Sequence, residues 1–280
     1  FEGNRNGDNS GKSTVIDVRK LLEELKQEKV DGVVIDLRNN GGGALSEAID
    51  VTGLFIDLGP VVQVKNTDGL VEVGEDVDPA LVYDGPLAVM VNRFSASASE
   101  IFAAAIQDYG RGIVVGEQTY GKGTVQTLID LNKVSRNSTN KFGQLKYTIA
   151  KFYRINGGST QHLGVVPDIT FPSYIDPQEF GESSEPSALP WDQIDATSYK
   201  LYNNLNKFLP ELVSSSEKRR NADPEFQYLA EDIQTYEQSS KQQYISLNEE
   251  IRNKKKEADD EKKFIRENER RQRKGLKLLE

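Results

Sequence analysis

The sequence predicts an α/β domain built of stacked βα units, followed by a mainly helical C-terminal region. Three observations carry this reading. Short β-branched runs lead into glycine-rich or small-residue turns and then into helical segments, a strand-turn-helix pattern that recurs three times in the first half. The runs at 33–37 and 87–91 are short and largely apolar, consistent with buried parallel strands. Beyond Trp191 strand signals are few, and Phe226, Leu229, Ile233 and Tyr236 recur at helical spacing.

The elements follow in order. Residues 1–13 are polar and glycine-rich and read as a loop. Residues 14–29 place Ile16, Leu21, Leu22 and Leu25 near helical spacing, with Ser13 or Thr14 as the cap. A strand at 33–37 leads through the turn Arg38–Gly43 into a helix at 45–55. Residues 61–64 and 70–73 form a hairpin around Asp68-Gly69. The strand at 87–91 runs straight into Phe94-Ser95-Ala96-Ser97-Ala98-Ser99-Glu100 and an apolar helix, 101–106. Further strands are expected at 113–115, 124–131 and 146–153. Three parts result: an α/β core at 1–176, a Glu-, Ser- and Pro-rich linker at 177–190, and a helical region at 191–280. The tail at 252–277, dense in both charge signs, reads first as a solvated helix and second as a helix that docks an adaptor protein.

Composition narrows the function. The chain has 280 residues, no cysteine and one histidine, His162. Thiolate chemistry, disulfides and a zinc site built on several histidines are excluded, and no cofactor is expected. The net charge of −9 disfavours a nucleic-acid binder. No segment approaches the length of a transmembrane helix, so no direct membrane anchor is expected. The chain opens on Phe1-Glu2-Gly3 without an initiator methionine and is read as a fragment.

Three alternating serines lie where ligand chemistry sits in α/β folds, at a strand's carboxyl end. A serine on that elbow presents its hydroxyl, and the next amide can bind an oxyanion. Lys122 lies in the turn Gly121-Lys122-Gly123 after an apolar strand. A free lysine, with a pKa of about 10.4, is a poor base at neutral pH, but burial can bring it down by roughly 2 to 3 units. Serine nucleophile with lysine base is the first hypothesis.

The alternatives fare worse. Gly116 to Lys122 matches seven positions of a P-loop, but Gly123 replaces the magnesium-holding Ser or Thr and a strand follows where a helix is required. Gly7 to Ser13 is one residue short in its glycine spacing. His162, near glycines, reads as a hydrogen-bonding residue before a catalytic base. Asp36 reads as closing its strand with Arg38, and Asp108 as anchoring its helix or orienting the site. The Gly41-Gly42-Gly43 turn reads as a strand-to-helix connection that can also supply an amide donor.

Together, Asp36 to Gly43, Ser95 to Ala103, Val114 to Glu117 and Gly121 to Gln126 resemble the carboxyl-terminal processing peptidases. Lys151 to Thr160, Ala188 to Asp192 and Asp223 to Tyr228 are similar to the Gram-negative tail-specific branch of that family. The resemblance implies a crotonase- or ClpP-like core and a serine endopeptidase that cuts near apolar C-terminal tails in the periplasm. It assigns Ser97 as nucleophile, Lys122 as base, Gln126 as the residue holding that lysine, and the amides of Gly43 and Ala98 as oxyanion donors. Asp108 matches an acidic position of the branch. The family carries a PDZ domain ahead of this core, for which the stretch before residue 14 has no room. A catalytically silent peptide-binding scaffold is therefore the alternative. An acyl-CoA enzyme of the crotonase class has no need of a Ser-Lys pair.

Overall fold

The structure, a computed structural model, describes residues 12–134, 142–202, 205–241 and 244–280. The first part is mixed α/β. Helix α1 (Thr14–Gln27) precedes strand β1 (Val33–Asp36), helix α2 (Leu45–Gly53) and the hairpin of β2 (Gly59–Asn66) and β3 (Val71–Asp76). Strand β4 (Leu87–Val91), helix α3 (Ala98–Asp108) and strand β5 (Ile113–Gly116) follow. Next come β6 (Thr124–Asp130), the short helix α4 (Leu131–Val134), β7 (Gln144–Tyr153) and the two-residue β8 (Ile169–Thr170). Helices α5 (Leu205–Ala222), α6 (Pro224–Ser240) and α7 (Glu249–Arg273) make up the helical C-terminal region.

Two four-stranded sheets result. One is parallel, in the order β1-β4-β5-β8, with Val33 opposite Leu87 and Ala88 opposite Ile113. The other is antiparallel, β3-β2-β7-β6, with a register shift between Val125 and Gln126. The strand at 33–37, expected to be buried, is an edge strand. Val33 and Leu37 are buried, whereas Val34, on the opposite face, is 59% exposed, so one face of β1 is uncovered there.

Helix α3 explains its own composition. Phe102, Ala103, Ala104 and Ile106 join the core that includes Val89, Val91 and Val114 of the parallel sheet. Ala98, Ile101 and Ala105 join the core that includes Val61, Val62 and Phe152 of the antiparallel sheet. A helix that serves two cores has no solvent face, and every residue from Ala98 to Ile106 is buried. Alanines at 103–105 keep it slim enough to pack on both sides.

Contacts divide the chain into two compact units, residues 1–230 and 231–280. In the second, Arg266 of α7 pairs with Asp232 and Glu231 of α6 at 2.6 and 2.7 Å. The charges of the tail are thus partly spent on joining two helices. Segment 177–190, read from composition as a linker, is tied to the first unit: the buried Arg93 donates to the Pro177 and Phe180 carbonyls, and Gln161 Nε2 donates to Leu189 O at 2.9 Å.

Candidate active site

The three serines have three different surroundings. Ser95 Oγ donates to Leu37 O at 2.8 Å and accepts from Asn92 N–H at 3.0 Å. Ser99 Oγ donates to Asn40 O at 2.9 Å. Both are fully buried and staple the elbow to the turn after β1. Ser97, between them, is half-buried, with φ +58° and ψ −118°. This is strained backbone for a residue with a side chain, a cost of about 1–3 kcal/mol that surrounding bonds must hold in place. Its N–H donates to Glu100 Oε2 at 2.8 Å, and Ala96 N–H donates to Asn40 O at 3.0 Å.

The glycine turn packs directly on this elbow. A Cβ on Gly42 (φ +98°) would lie 2.6 Å from Ala96 O, 2.8 Å from Ala98 N and 2.8 Å from Ser97 Cβ. Gly43, the expected oxyanion donor, is the next residue and is exposed, with φ +154°. Ala98 opens α3, where the amides of the first turn have no partner within the helix and carry its positive dipole end. The turn and the helix start therefore converge beside Ser97. Gly42→Ala is expected to abolish catalysis and to lower stability by about 1–3 kcal/mol, read by peptide hydrolysis and urea unfolding.

Lys122 sits on the loop between β5 and β6. Its Nζ donates to Gln126 Oε1 at 3.0 Å, so these two expected partners are together. Burial, with help from the Lys146 charge, holds its pKa below the ordinary lysine value against the opposing pull of Glu182 and Glu100. The neutral amine is thereby brought closer to neutral pH. The backbone is held from both sides: Gly121 and Lys122 N–H donate to Glu100, and Gly123 N–H donates to Gln161 Oε1 at 2.8 Å.

Glu100 is the residue that joins serine and lysine. It is fully buried. Its Oε1 accepts from Thr119 Oγ1 at 2.6 Å and Gly121 N at 2.7 Å. Its Oε2 accepts from Ser97 N at 2.8 Å and Lys122 N at 3.0 Å. One carboxylate oxygen thus places the two backbone nitrogens within two hydrogen-bond lengths of each other. Burial pushes the Glu100 pKa up to about 7, while the four donors oppose the rise. Sequence reasoning gave Glu100 no role, although Ser97 and Glu100 have the Ser-x-x-Glu spacing of a capping box.

Residues 8–171 match the sequence model described as peptidase family S41. The chain belongs to peptidase family S41. Residues 175–280 match the C-terminal domain of tail specific protease. The chain is 46% identical to the tail-specific protease of Haemophilus influenzae over 94% of its own length and 38% of the relative's. It is 34% identical to the chloroplastic C-terminal processing peptidase of Tetradesmus obliquus, over 56% of this chain and 32% of that one. It thus spans less than two fifths of these relatives. Among solved structures, the photosystem II D1 C-terminal processing protease matches with a TM-score of 0.49 and 32% identity, over 59% of this chain and 40% of that one.

The other acidic and basic candidates of this S41 chain have different surroundings. Asp108 is at the far end of α3, about 16 Å along the helix from Ser97. There it accepts from Arg154 Nε at 3.0 Å, Arg154 Nη2 at 2.5 Å and Asn156 Nδ2 at 2.8 Å. Both Asp108 and Arg154 side chains are largely buried, so Asp108→Ala leaves the guanidinium without a carboxylate, with Gln107 its remaining partner, and is expected to cost about 3–5 kcal/mol in chemical unfolding. Asp36 is held below the usual carboxylate range by its hydrogen bonds from Arg38, in a half-exposed pair. His162 has φ +64°, and its N–H donates to Gly121 O at 2.8 Å. Its Nε2 is buried with no hydrogen-bond partner among the described residues, and the ring lines a cavity of about 580 Å³ with Gln118, Leu163, Pro177 and Trp191.

Proposed function

We propose that this S41 chain is a serine endopeptidase in which Ser97 is the nucleophile and Lys122 the general base. The observation that carries the reading is the shared Glu100 oxygen, which holds both backbones, together with a partly desolvated Lys122 amine resting on Gln126. Neutral Lys122 Nζ takes the Ser97 hydroxyl proton as Oγ bonds to the scissile carbonyl carbon. The developing oxyanion meets the amides of Ala98 and Gly43. Collapse breaks the peptide C–N bond, and the ammonium of Lys122 returns its proton to the leaving amine. Water then attacks the ester, Lys122 takes a proton from it, and that proton passes back to Ser97 Oγ as the acid leaves.

The substrates are proteins with apolar C-terminal tails, cut near those tails, and the site of action is the periplasm. The similarity to the Haemophilus influenzae tail-specific protease supports the action on protein tails. No helix among the described residues is long and apolar enough to cross a membrane. Docking of an adaptor protein on the charged helical region is part of the same proposal. The test is hydrolysis of an unstructured protein carrying either an apolar or a charged tail. Preferential cleavage of the apolar form, absent in Ser97→Ala, is the expected result. Equal cleavage of both forms refutes the tail preference. Tail binding without hydrolysis identifies a scaffold instead.

A further inference from the structure

Arg93 is a fully buried arginine that the dyad chemistry does not use. It lies two residues beyond β4, at the start of the elbow that carries Ser97. Its guanidinium spends its donors on three backbone carbonyls from two other segments. Nη1 donates to Thr119 O, on the loop that leads to Lys122. Nε donates to Phe180 O at 2.5 Å and Nη2 to Pro177 O at 2.7 Å. A planar fork reaching three carbonyls in fixed directions cannot be imitated by a lysine. The same strap is fastened to the lysine loop twice more. Glu182 N–H donates to Tyr120 O at 3.0 Å, and Gln161 bridges Gly123 N–H to the Glu182 carboxylate at 3.1 Å. Phe180 packs edge-on against both Phe94 and Tyr120, with ring centroids 5.0 and 6.0 Å apart.

The strap falls outside the S41 match and inside the match to the C-terminal domain. We propose that Arg93 is a positioning residue that clamps strap 177–182 onto the 119–123 loop, so that the C-terminal domain's first segment sets the placement of Lys122. This rests on the Ser97-Lys122 reading above. Gly181 is the sensitive point of the clamp: a Cβ there would lie 2.1 Å from Arg93 Nη2 and 2.8 Å from Tyr120 O.

The experiment compares Arg93→Met and Gly181→Ala with the unaltered 280-residue chain. It measures kcat and KM for peptide hydrolysis, and amide hydrogen exchange at residues 119–123 and in α3. Both variants are expected to lower kcat by roughly 10- to 100-fold with KM nearly unchanged, since misplacing a reacting group by about 1 Å has that effect. Exchange should quicken at 119–123 and hold in α3. An unaltered kcat in Gly181→Ala overturns the clamp, as does exchange that quickens equally everywhere. Gly181→Ala decides if Arg93→Met does not fold, because it keeps the guanidinium. Lys122→Ala in the same assay separates the two proposals. If Lys122→Ala hydrolyses at the full rate, the dyad reading itself falls; if Lys122→Ala loses activity while the clamp variants keep theirs, the clamp falls and the dyad stands.

Discussion

Ser97→Ala is expected to lower kcat by roughly 10⁶-fold and Lys122→Ala by about 10²- to 10⁴-fold, with the folded state retained in both. The serine loss is the larger because no other hydroxyl can replace it: Ser95 and Ser99 are each committed to a backbone carbonyl. The lysine loss is smaller because attack without a positioned base still profits from bound substrate and oxyanion donors. The double variant should be no slower than Ser97→Ala alone, since the two groups act in one step. Hydrolysis by the unaltered chain should rise with pH as Lys122 loses its proton. Burial moves that rise below the ordinary lysine range. Progress curves of a quenched peptide across pH, with thermal melts of each variant, check all of these. A Lys122→Ala chain with full activity would remove the dyad.

Glu100→Gln is expected to lower kcat by about 10²-fold while changing stability by no more than about 2 kcal/mol at neutral pH. The carboxylate accepts four hydrogen bonds, two on each oxygen, whereas an amide can accept on one side only. Turning its NH₂ toward Ser97 and Lys122 opposes both backbone donors. Turning it the other way opposes Gly121 N–H, whose glycine (φ +92°) lies so close to the 162 backbone that a Cβ there would be 2.7 Å from His162 O. Either rotamer displaces the loop that carries the base. Stability suffers less, because the amide also removes a charge whose burial is costly.

The pH dependence has a definite sign. The Glu100 pKa, about 7 in the folded chain, lies above the ordinary 4.5, so the native state binds this proton more tightly than the unfolded state does. The stabilisation is fully present below about pH 4.5 and is lost as pH rises through 7, a contribution of roughly 3 kcal/mol. Urea unfolding between pH 5 and 8 should therefore show a downward slope that flattens in Glu100→Gln. An identical slope in the two proteins would contradict the buried-carboxylate account.

Much of the first part was legible from local signals. The β-branched runs placed β1, β4 and β5, and alternation placed β6 and β7, each to within a few residues. The apolar 101–106 run marked α3, and Asp68-Gly69 marked the hairpin. The arrangement of β2, β3, β6 and β7 into a second sheet was not legible, since the β2–β7 pairing, from Gln63↔Tyr153 to Asn66↔Ala150, leaves no local trace. The exposure of Val34 was missed because a short apolar run does not show which of its two faces other elements cover. Glu100 passed unnoticed because an acidic residue in a helix's first turn is ordinary. Its importance comes from Thr119, Gly121 and Lys122, which reach it from about twenty residues away.

By itself, the sequence determined the α/β class, the strand-to-helix elbow, and the chemistry available there: one hydroxyl cluster, one glycine-flanked lysine, no thiol and a single histidine. Periodicity and composition act within a few residues, and that is their reach. Tertiary structure decided which members of those clusters are free to react. It committed Ser95 and Ser99 to the turn after β1, laid Gly42 against Ser97, drew Asp108 to Arg154, and bound the serine and lysine backbones to one buried carboxylate. Each of these is a directional bond or a hard-sphere contact between segments distant in sequence. Such contacts exist only once the two cores have brought the segments together.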